Sequence, residues 1–298
     1  MVDIGQTDTS HVSASSSFLT NQPRSWNRHF TYQGRQLFYN RIAFNNSAER
    51  AVEVPLAFDF LAQQVGKEPI LEVGNVLQHY ENALSDSLGL RHRHIVDKFE
   101  VGSGIENIDI FDIQPSKKYQ TVVCISTVEH VGQNCDPLGN FGEQQKSSDL
   151  EAPLKAIAKL YDLLEDGGRA LITLPFGKLI DGGWYVQAST AYLDLLVTKY
   201  GLPDDAVSTT FLQCIARERK WINPRQHWIE TAPELLANAR YDDLRSGARA
   251  IAVLELTRAT QPFTLDLTIP PTTLDYTRSI LTQNMFFMLG QIQRLVRR

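Results

Sequence analysis

Four short apolar runs in the first half of the chain lead into residues that can bind a ligand. Ile70-Leu-Glu-Val-Gly74 carries Glu72 and Gly74. His94-Ile-Val-Asp97 ends on an acid, and a weaker run over 105–110 contains Asp109. Thr121-Val-Val-Cys-Ile125 is followed by Ser126. In an open parallel sheet, ligands bind beyond the carboxyl ends of the strands, where strand order reverses. Gly74 lets the backbone turn tightly and come close to a ligand. Asp97, 25 residues after Glu72, is placed to accept both hydroxyls of a ribose. Asp109 can accept a hydrogen bond from an exocyclic amine. Taken singly, Glu72 reads as a surface carboxylate, Asp97 as a helix cap and Gly74 as a turn. The ordered set is far more specific than its members.

A second constellation is Ser126-Thr-Val-Glu129-His130-Val-Gly132. Imidazole titrates near neutrality, so His130 can act as a general base. It can equally join Glu129 in pinning the following loop by hydrogen bonds. Residues 131–148 form a long polar loop of the kind that serves as a lid or binding loop. Cys135 lies in it without a base partner. Trp184, Tyr185 and His227 are candidates for a substrate wall. His92-x-His94 has no third ligand and reads as a solvent-side pair, so no metal is expected.

The elements that must position these residues alternate. A helix is expected over 51–61, with Pro55 in its first turn and Gly66 as its stop. Strands follow at 69–74, 94–97, 105–110 and 121–125. Leu150, Leu154, Ile157, Leu160 and Leu164 are spaced as on a helix over 149–165, with Asp149 as N-cap and Gly167-Gly168 as its end. A fifth strand is Ala170-Leu-Ile-Thr-Leu174. Helices near 190–200 and 233–239, an apolar segment over 210–215 and a last strand over 250–256 complete the pattern. Strands separated by helices imply βαβ units and a mostly parallel sheet buried on both faces.

In that order, LEVGN, IVDK, NIDI, VCISTVEHVG, LEDGG and ALITLPFG resemble a class I S-adenosylmethionine-dependent methyltransferase of the small-molecule type, over about residues 69–177. The resemblance implies an α/β three-layer sandwich: a seven-stranded, mostly parallel sheet with an antiparallel last strand at 250–256. It implies S-adenosylmethionine as cofactor. Glu72, Gly74 and Asn75 would line its methionine part. Asp97 would hold the ribose, Asp109 and Ile110 would frame the adenine, and Ser126 would sit near the sulfonium. Arg50 is a candidate partner for the methionine carboxylate, or a helix partner for Glu53. The family's glycine loop is richer; here Val76 and Gln78 stand where it has further glycines. Some relatives hold a divalent metal with Glu-x-x-Glu-His, but Ser126 occupies the first of those places here.

Composition narrows the function classes. The 298 residues carry 29 basic and 34 acidic side chains, a formal net charge of −5. A chain built to neutralise nucleic-acid phosphates would be basic, so no nucleic acid is expected. Three cysteines without a CxxC pair exclude a disulfide framework and point to a reducing compartment, here the cytoplasm. No run approaches a membrane-spanning length. The expected organisation is a disordered segment 1–25, a methyltransferase domain 26–256 and an extension 257–298. The extension holds five Arg and two Asp. Its residues 279–298 can form an amphipathic helix that packs on the domain, on a second subunit or on a membrane surface. The expected activity is methyl transfer to a small-molecule or glycan-type acceptor, with Glu129 and His130 as catalytic residues. The rivals are a non-catalytic binding module on the same fold and a nicotinamide-dependent oxidoreductase. The oxidoreductase would need Gly-x-Gly-x-x-Gly after the first strand.

Overall fold

The computed structural model describes residues 26–43, 45–46, 48–133, 149–220, 222–241 and 249–279. The segment 1–25, Cys135 and the residues 280–298 of the expected terminal helix lie outside the described residues.

The chain enters through a hairpin, β1 (His29–Tyr32) and β2 (Arg35–Phe38). Its two turn residues, Gln33 and Gly34, have φ of 47° and 75°. That geometry follows the natural twist of paired strands. Helix α1 (Arg50–Ala62) then buries Val52, Leu56, Ala57, Phe60 and Leu61. Pro55 falls inside the helix rather than in its first turn. The carbonyl it leaves unpaired, that of Ala51, accepts instead from Asn40 N at 2.9 Å.

The alternating unit follows as β3 (Ile70–Val73), α2 (Glu81–Leu88), β4 (His94–Val96), β5 (Ile105–Glu106), β6 (Tyr119–Ile125), α3 (Ala152–Asp162) and β7 (Leu164–Pro175). Next come the short strands β8 (Ile180–Asp181) and β9 (Val186–Gln187). One-turn helices α4 (Thr190–Leu193) and α5 (Leu195–Thr198) precede β10 (Val207–Arg217), β11 (Gln226–Glu230), β12 (Ala250–Thr257) and β13 (Thr277–Arg278).

The main sheet runs β11-β10-β12-β7-β6-β3-β4-β5. Strands β4, β3, β6 and β7 pair in parallel, with β5 parallel at the edge. Strand β12 enters antiparallel between β7 and β10, as the resemblance implies. The sheet has eight strands rather than seven, because β11 turns back along β10 and adds an edge. The order reverses between β3 and β6, which places the crevice at their carboxyl ends.

Both faces are buried, and the side chains show it by alternating. Val122 and Cys124 of β6, Ala170 and Ile172 of β7, and Ala252 and Leu254 of β12 face a core shared with α3, α4 and α5. Val123, Ile125, Leu171, Ile251 and Val253 face a second core with α1, the hairpin and Trp228.

Four local expectations are corrected. Helix α3 spans Ala152–Asp162, not 149–165. Asp149 accepts from Glu151 N at 2.9 Å in the turn before the helix instead of capping it. Gly167, with φ of 73°, lies inside β7 where its pairing with β6 slips, so it serves a bulge and not a helix end. The region expected to be a helix near 233–239 is a 3₁₀ turn, Pro233–Leu236.

The first part of the extension packs on this domain. Phe263 meets the edge of Tyr161 with ring centroids 5.0 Å apart. Thr272 N donates to Glu151 Oε1 at 2.6 Å, and β13 pairs with β8.

Candidate functional site

Glu72, Gly74, Asn75, Asp97, Asp109, Ile110, Ser126, Glu129 and His130 lie at or just beyond the carboxyl ends of the parallel strands. The β3 turn is the hinge. Gly74 has φ of 77° and donates to Val96 O of β4 at 2.9 Å. Val76 N closes the turn on Gly74 O at 2.8 Å, so no further glycine is needed. A Cβ on Gly74 would stand 2.2 Å from Thr127 Oγ1 of the β6 loop. The turn and that loop are therefore in direct contact across the switch point.

Glu72 is buried and uses both oxygens. Oε1 accepts from Leu77 N and Oε2 from Arg93 Nε, each at 2.8 Å. Burial raises its pKa, and the Arg93 guanidinium, 2% exposed, works against that shift. Glu72 thus holds the turn in shape. Asn75 donates to Glu100 Oε1 at 2.8 Å, while its own Oδ1 is buried without a hydrogen-bond partner.

Asp97 caps the turn after β4. Its Oδ1 accepts from Phe99 N at 2.8 Å and Glu100 N at 2.7 Å. Asp109 does the same after β5: Oδ1 accepts from Phe111 N at 3.1 Å, and Oδ2 pairs with Lys98 Nζ at 2.8 Å. Ile110 beside it is buried. These contacts tie the β3, β4 and β5 loops into one rim.

On the other side of the crevice lies a buried polar cluster. Ser126 has φ of 39°, a left-handed conformation unusual for a non-glycine. Its N–H bonds Thr173 O at 3.1 Å, and its hydroxyl donates to Glu53 Oε1 at 2.6 Å. Thr173 Oγ1 donates to the same oxygen at 2.7 Å, and Arg50 pairs with Glu53 Oε2. Arg50 is therefore a helix partner of Glu53.

Glu129 and His130 stand next to this cluster, in the 3₁₀ turn Val128–His130. Glu129 is 2% exposed and its Oε2 has no hydrogen-bond partner. Burial drives its pKa well above the usual carboxylate range, with Glu53 adding to the shift and Arg50 opposing it. His130 Nδ1 lies 2.8 Å from Trp184 O. A carbonyl only accepts, so Nδ1 carries the proton, and Nε2 is the basic nitrogen of the neutral ring. Nε2 is 3.8 Å from Glu129 Oε1. Burial also lowers the His130 pKa, which keeps the ring neutral and able to take a proton.

Trp184 stacks on His130 with centroids 5.2 Å apart and planes 12° from parallel. Tyr185 and Tyr241 continue the aromatic wall, with centroids 4.8 Å apart. His227 lies on the edge strand β11. Thr173, Arg93 and Tyr241 were not singled out from the sequence, and Glu53 was named only as a helix partner of Arg50. Glu53 had a signal: it falls on the apolar stripe of Leu56, Ala57 and Phe60, where an acid must find partners. Tyr241 had none, because only the folded chain brings it to residue 185.

No protein-family model and no curated protein matches the sequence. Solved structures are similar. A SAM-dependent methyltransferase from Archaeoglobus fulgidus is 15% identical, with 70% of this chain and 93% of that one covered and a TM-score of 0.42. The N-methyltransferase NodS from Bradyrhizobium japonicum, in complex with S-adenosyl-L-homocysteine, is 9% identical, with 68% and 87% covered and a TM-score of 0.37. The 1,6-didemethyltoxoflavin-N1-methyltransferase of Burkholderia thailandensis is 12% identical, with 70% and 79% covered and a TM-score of 0.39. The strand order itself defines the class here. This is the Rossmann-like methyltransferase fold, with one edge strand more than the resemblance implied. Among the described residues, no helix is long and apolar enough to cross a membrane.

Proposed function

We propose that this chain transfers a methyl group from S-adenosylmethionine to a small-molecule or glycan-type acceptor. The observation that carries the reading is Asn75 Oδ1, a buried acceptor without a partner on the open turn after β3. A buried carbonyl oxygen without a donor needs a partner, and a ligand N–H can supply it. It fits the ammonium of the methionine part, next to the close backbone approach that Gly74 allows. Asp97 takes its backbone N–H bonds on Oδ1, which leaves Oδ2 for the ribose hydroxyls. Asp109 and Ile110 would frame the adenine. Ser126, at the end of β6, would border the sulfonium, its backbone fixed by Thr173 and its hydroxyl by Glu53.

S-adenosylmethionine supplies a methyl on a sulfonium, which is already a good leaving group. The protein's part is to align the acceptor and to keep water out. His130 Nε2 accepts the proton that the acceptor loses, and the Trp184 carbonyl holds the ring in the required tautomer.

A non-catalytic binding module is the second reading, favoured by Val76 and Gln78 in place of further glycines. Calorimetric titration with S-adenosylmethionine, S-adenosylhomocysteine and NAD separates the classes. Binding of the first two and not NAD is expected. Binding of NAD alone would make the chain an oxidoreductase, and binding of none would leave the scaffold reading.

A further inference from the structure

Glu53 and Glu129 lie close together beside the crevice, and Arg50 acts on both. Arg50 is committed to Glu53 through a direct ion pair. Glu129 is left with no cation of its own. Its Oε2 is orphaned whichever form it takes: ionised, it lacks a donor, and protonated, it lacks an acceptor. A buried polar atom in this state is costly, and proteins keep such atoms where a ligand supplies the partner.

An aromatic wall lies beside this acid. Trp184 and Tyr185 meet at 5.0 Å, Tyr185 and Tyr241 at 4.8 Å, and Trp184 and Tyr241 at 6.3 Å between centroids. Burial raises the Tyr241 pKa, with Glu49 and then Glu129 adding to the shift, which places Glu129 near this wall. Ring faces attract cations through their quadrupole. A buried acid kept neutral by desolvation ionises when a cation settles beside it, so the Glu129 carboxyl and the neighbouring rings form a receptor for a compact, desolvated positive charge.

We propose that the acceptor is an amine, bound as its ammonium ion by the Glu129 carboxyl and the aromatic wall of Trp184, Tyr185 and Tyr241. This rests on the methyltransferase reading for its consequence but not for its binding. An ammonium nitrogen has no lone pair and cannot be methylated. The proposal therefore includes one proton transfer. The N–H bond of the ammonium breaks, an N–H bond forms at His130 Nε2, and the electron pair stays on the amine nitrogen. The neutral state of the His130 ring suits it to this step. An alcohol acceptor would use the same base but would give the orphaned acid no charge to meet.

The test uses the full chain and two probes, tetramethylammonium and benzylamine, with benzyl alcohol as the neutral control. Binding is read by calorimetry and by tryptophan fluorescence, with and without saturating S-adenosylhomocysteine. Benzylamine should bind at least roughly tenfold more tightly than benzyl alcohol, and tetramethylammonium should compete with it. Glu129→Gln keeps the shape and removes the charge; it should abolish the preference while the thermal unfolding curve stays cooperative. Trp184→Leu should weaken both cations and leave the backbone carbonyl that holds His130. Equal affinity for amine and alcohol, an unchanged preference in Glu129→Gln, or no saturable binding of either cation at millimolar concentration would each overturn the proposal. Failure of S-adenosylhomocysteine to bind would instead remove the methyltransferase reading, and the cation titrations would stand independently.

Discussion

The two sides of the crevice use carboxylates in opposite ways. On the rim of β3, β4 and β5, Glu72, Asp97 and Asp109 are bound by backbone N–H groups or by a cation. Asp97 and Asp109 cap their own turns, and Glu72 is held by Leu77 and Arg93. These groups are fixed in place before a ligand arrives. On the β6–β7 side, Glu53 is saturated by Arg50, Ser126 and Thr173, yet Glu129 next to it is buried with an oxygen to spare. The rim offers preorganised acceptors, suited to a neutral polyol and an amino-acid head. The opposite wall offers a desolvated acid and a neutral histidine, suited to moving a proton.

The sharpest way to break the comparison is to destroy the contact between the two sides. Gly74→Val places a β-branched side chain at φ of 77° and drives its Cβ into Thr127. The left-handed backbone costs about 1–2 kcal/mol and overpacking about 1–3 kcal/mol more. Loss of measurable S-adenosylhomocysteine binding is expected in calorimetry. Normal titration would detach the β3 turn from the site. His130→Ala should come next. Turnover should fall by roughly 10²–10⁴-fold with cofactor affinity nearly constant, as expected of a base on the wall and not of a rim residue. A large loss of cofactor affinity would make His130 a loop pin. Asp97→Ala should do the reverse. Cofactor affinity should fall by roughly ten- to a hundred-fold, about 1.5–3 kcal/mol, while loss of the turn cap lowers the melting temperature by an amount set by about 0.5–2 kcal/mol. Unchanged affinity would remove Asp97 from the ribose site.

The rim was legible in the sequence because its signals are local. An apolar run, a glycine or an acid, and a turn occupy five or six consecutive residues, as in Ile70-Leu-Glu-Val-Gly74. The central strands were legible for the same reason, since Thr121-Val-Val-Cys-Ile125 is too β-branched for a helix. The wall was only half legible. Glu129 and His130 announced themselves, but their environment comes from distant elements: Glu53 is 73 residues before Ser126, and Thr173 is 47 residues after it. The hairpin β1–β2 and the edge strand β11 were missed because short strands in polar, aromatic sequence carry little periodicity. The bounds of α3 were misplaced because Asp149 and Gly167 have alternative uses, as an earlier turn cap and as a bulge residue.

The smallest effect sharpens the comparison most, because it reads Glu129 in the folded protein without any ligand. The folded-state pKa of Glu129 lies well above its usual 4.5. Below that usual value both folded and unfolded chains hold the proton, and burial of the neutral acid is fully tolerated. As pH rises through 4.5 toward the raised folded value, the unfolded chain releases the proton first. The unfolded state then binds fewer protons than the folded one, so stability falls, with a slope of at most about 1.4 kcal/mol per pH unit for one group. His130 has the opposite sign: its folded pKa is lowered below 6.5, so stability rises as pH climbs from the folded value toward 6.5. The two contributions overlap, and a single melting series would mix them. Urea unfolding of the wild type and of Glu129→Gln across pH 5–8 separates them, because both chains share the His130 contribution and differ in Glu129. The wild type should lose stability relative to the variant as pH increases. A flat difference would mean that Glu129 ionises in the folded protein as it does in the open chain.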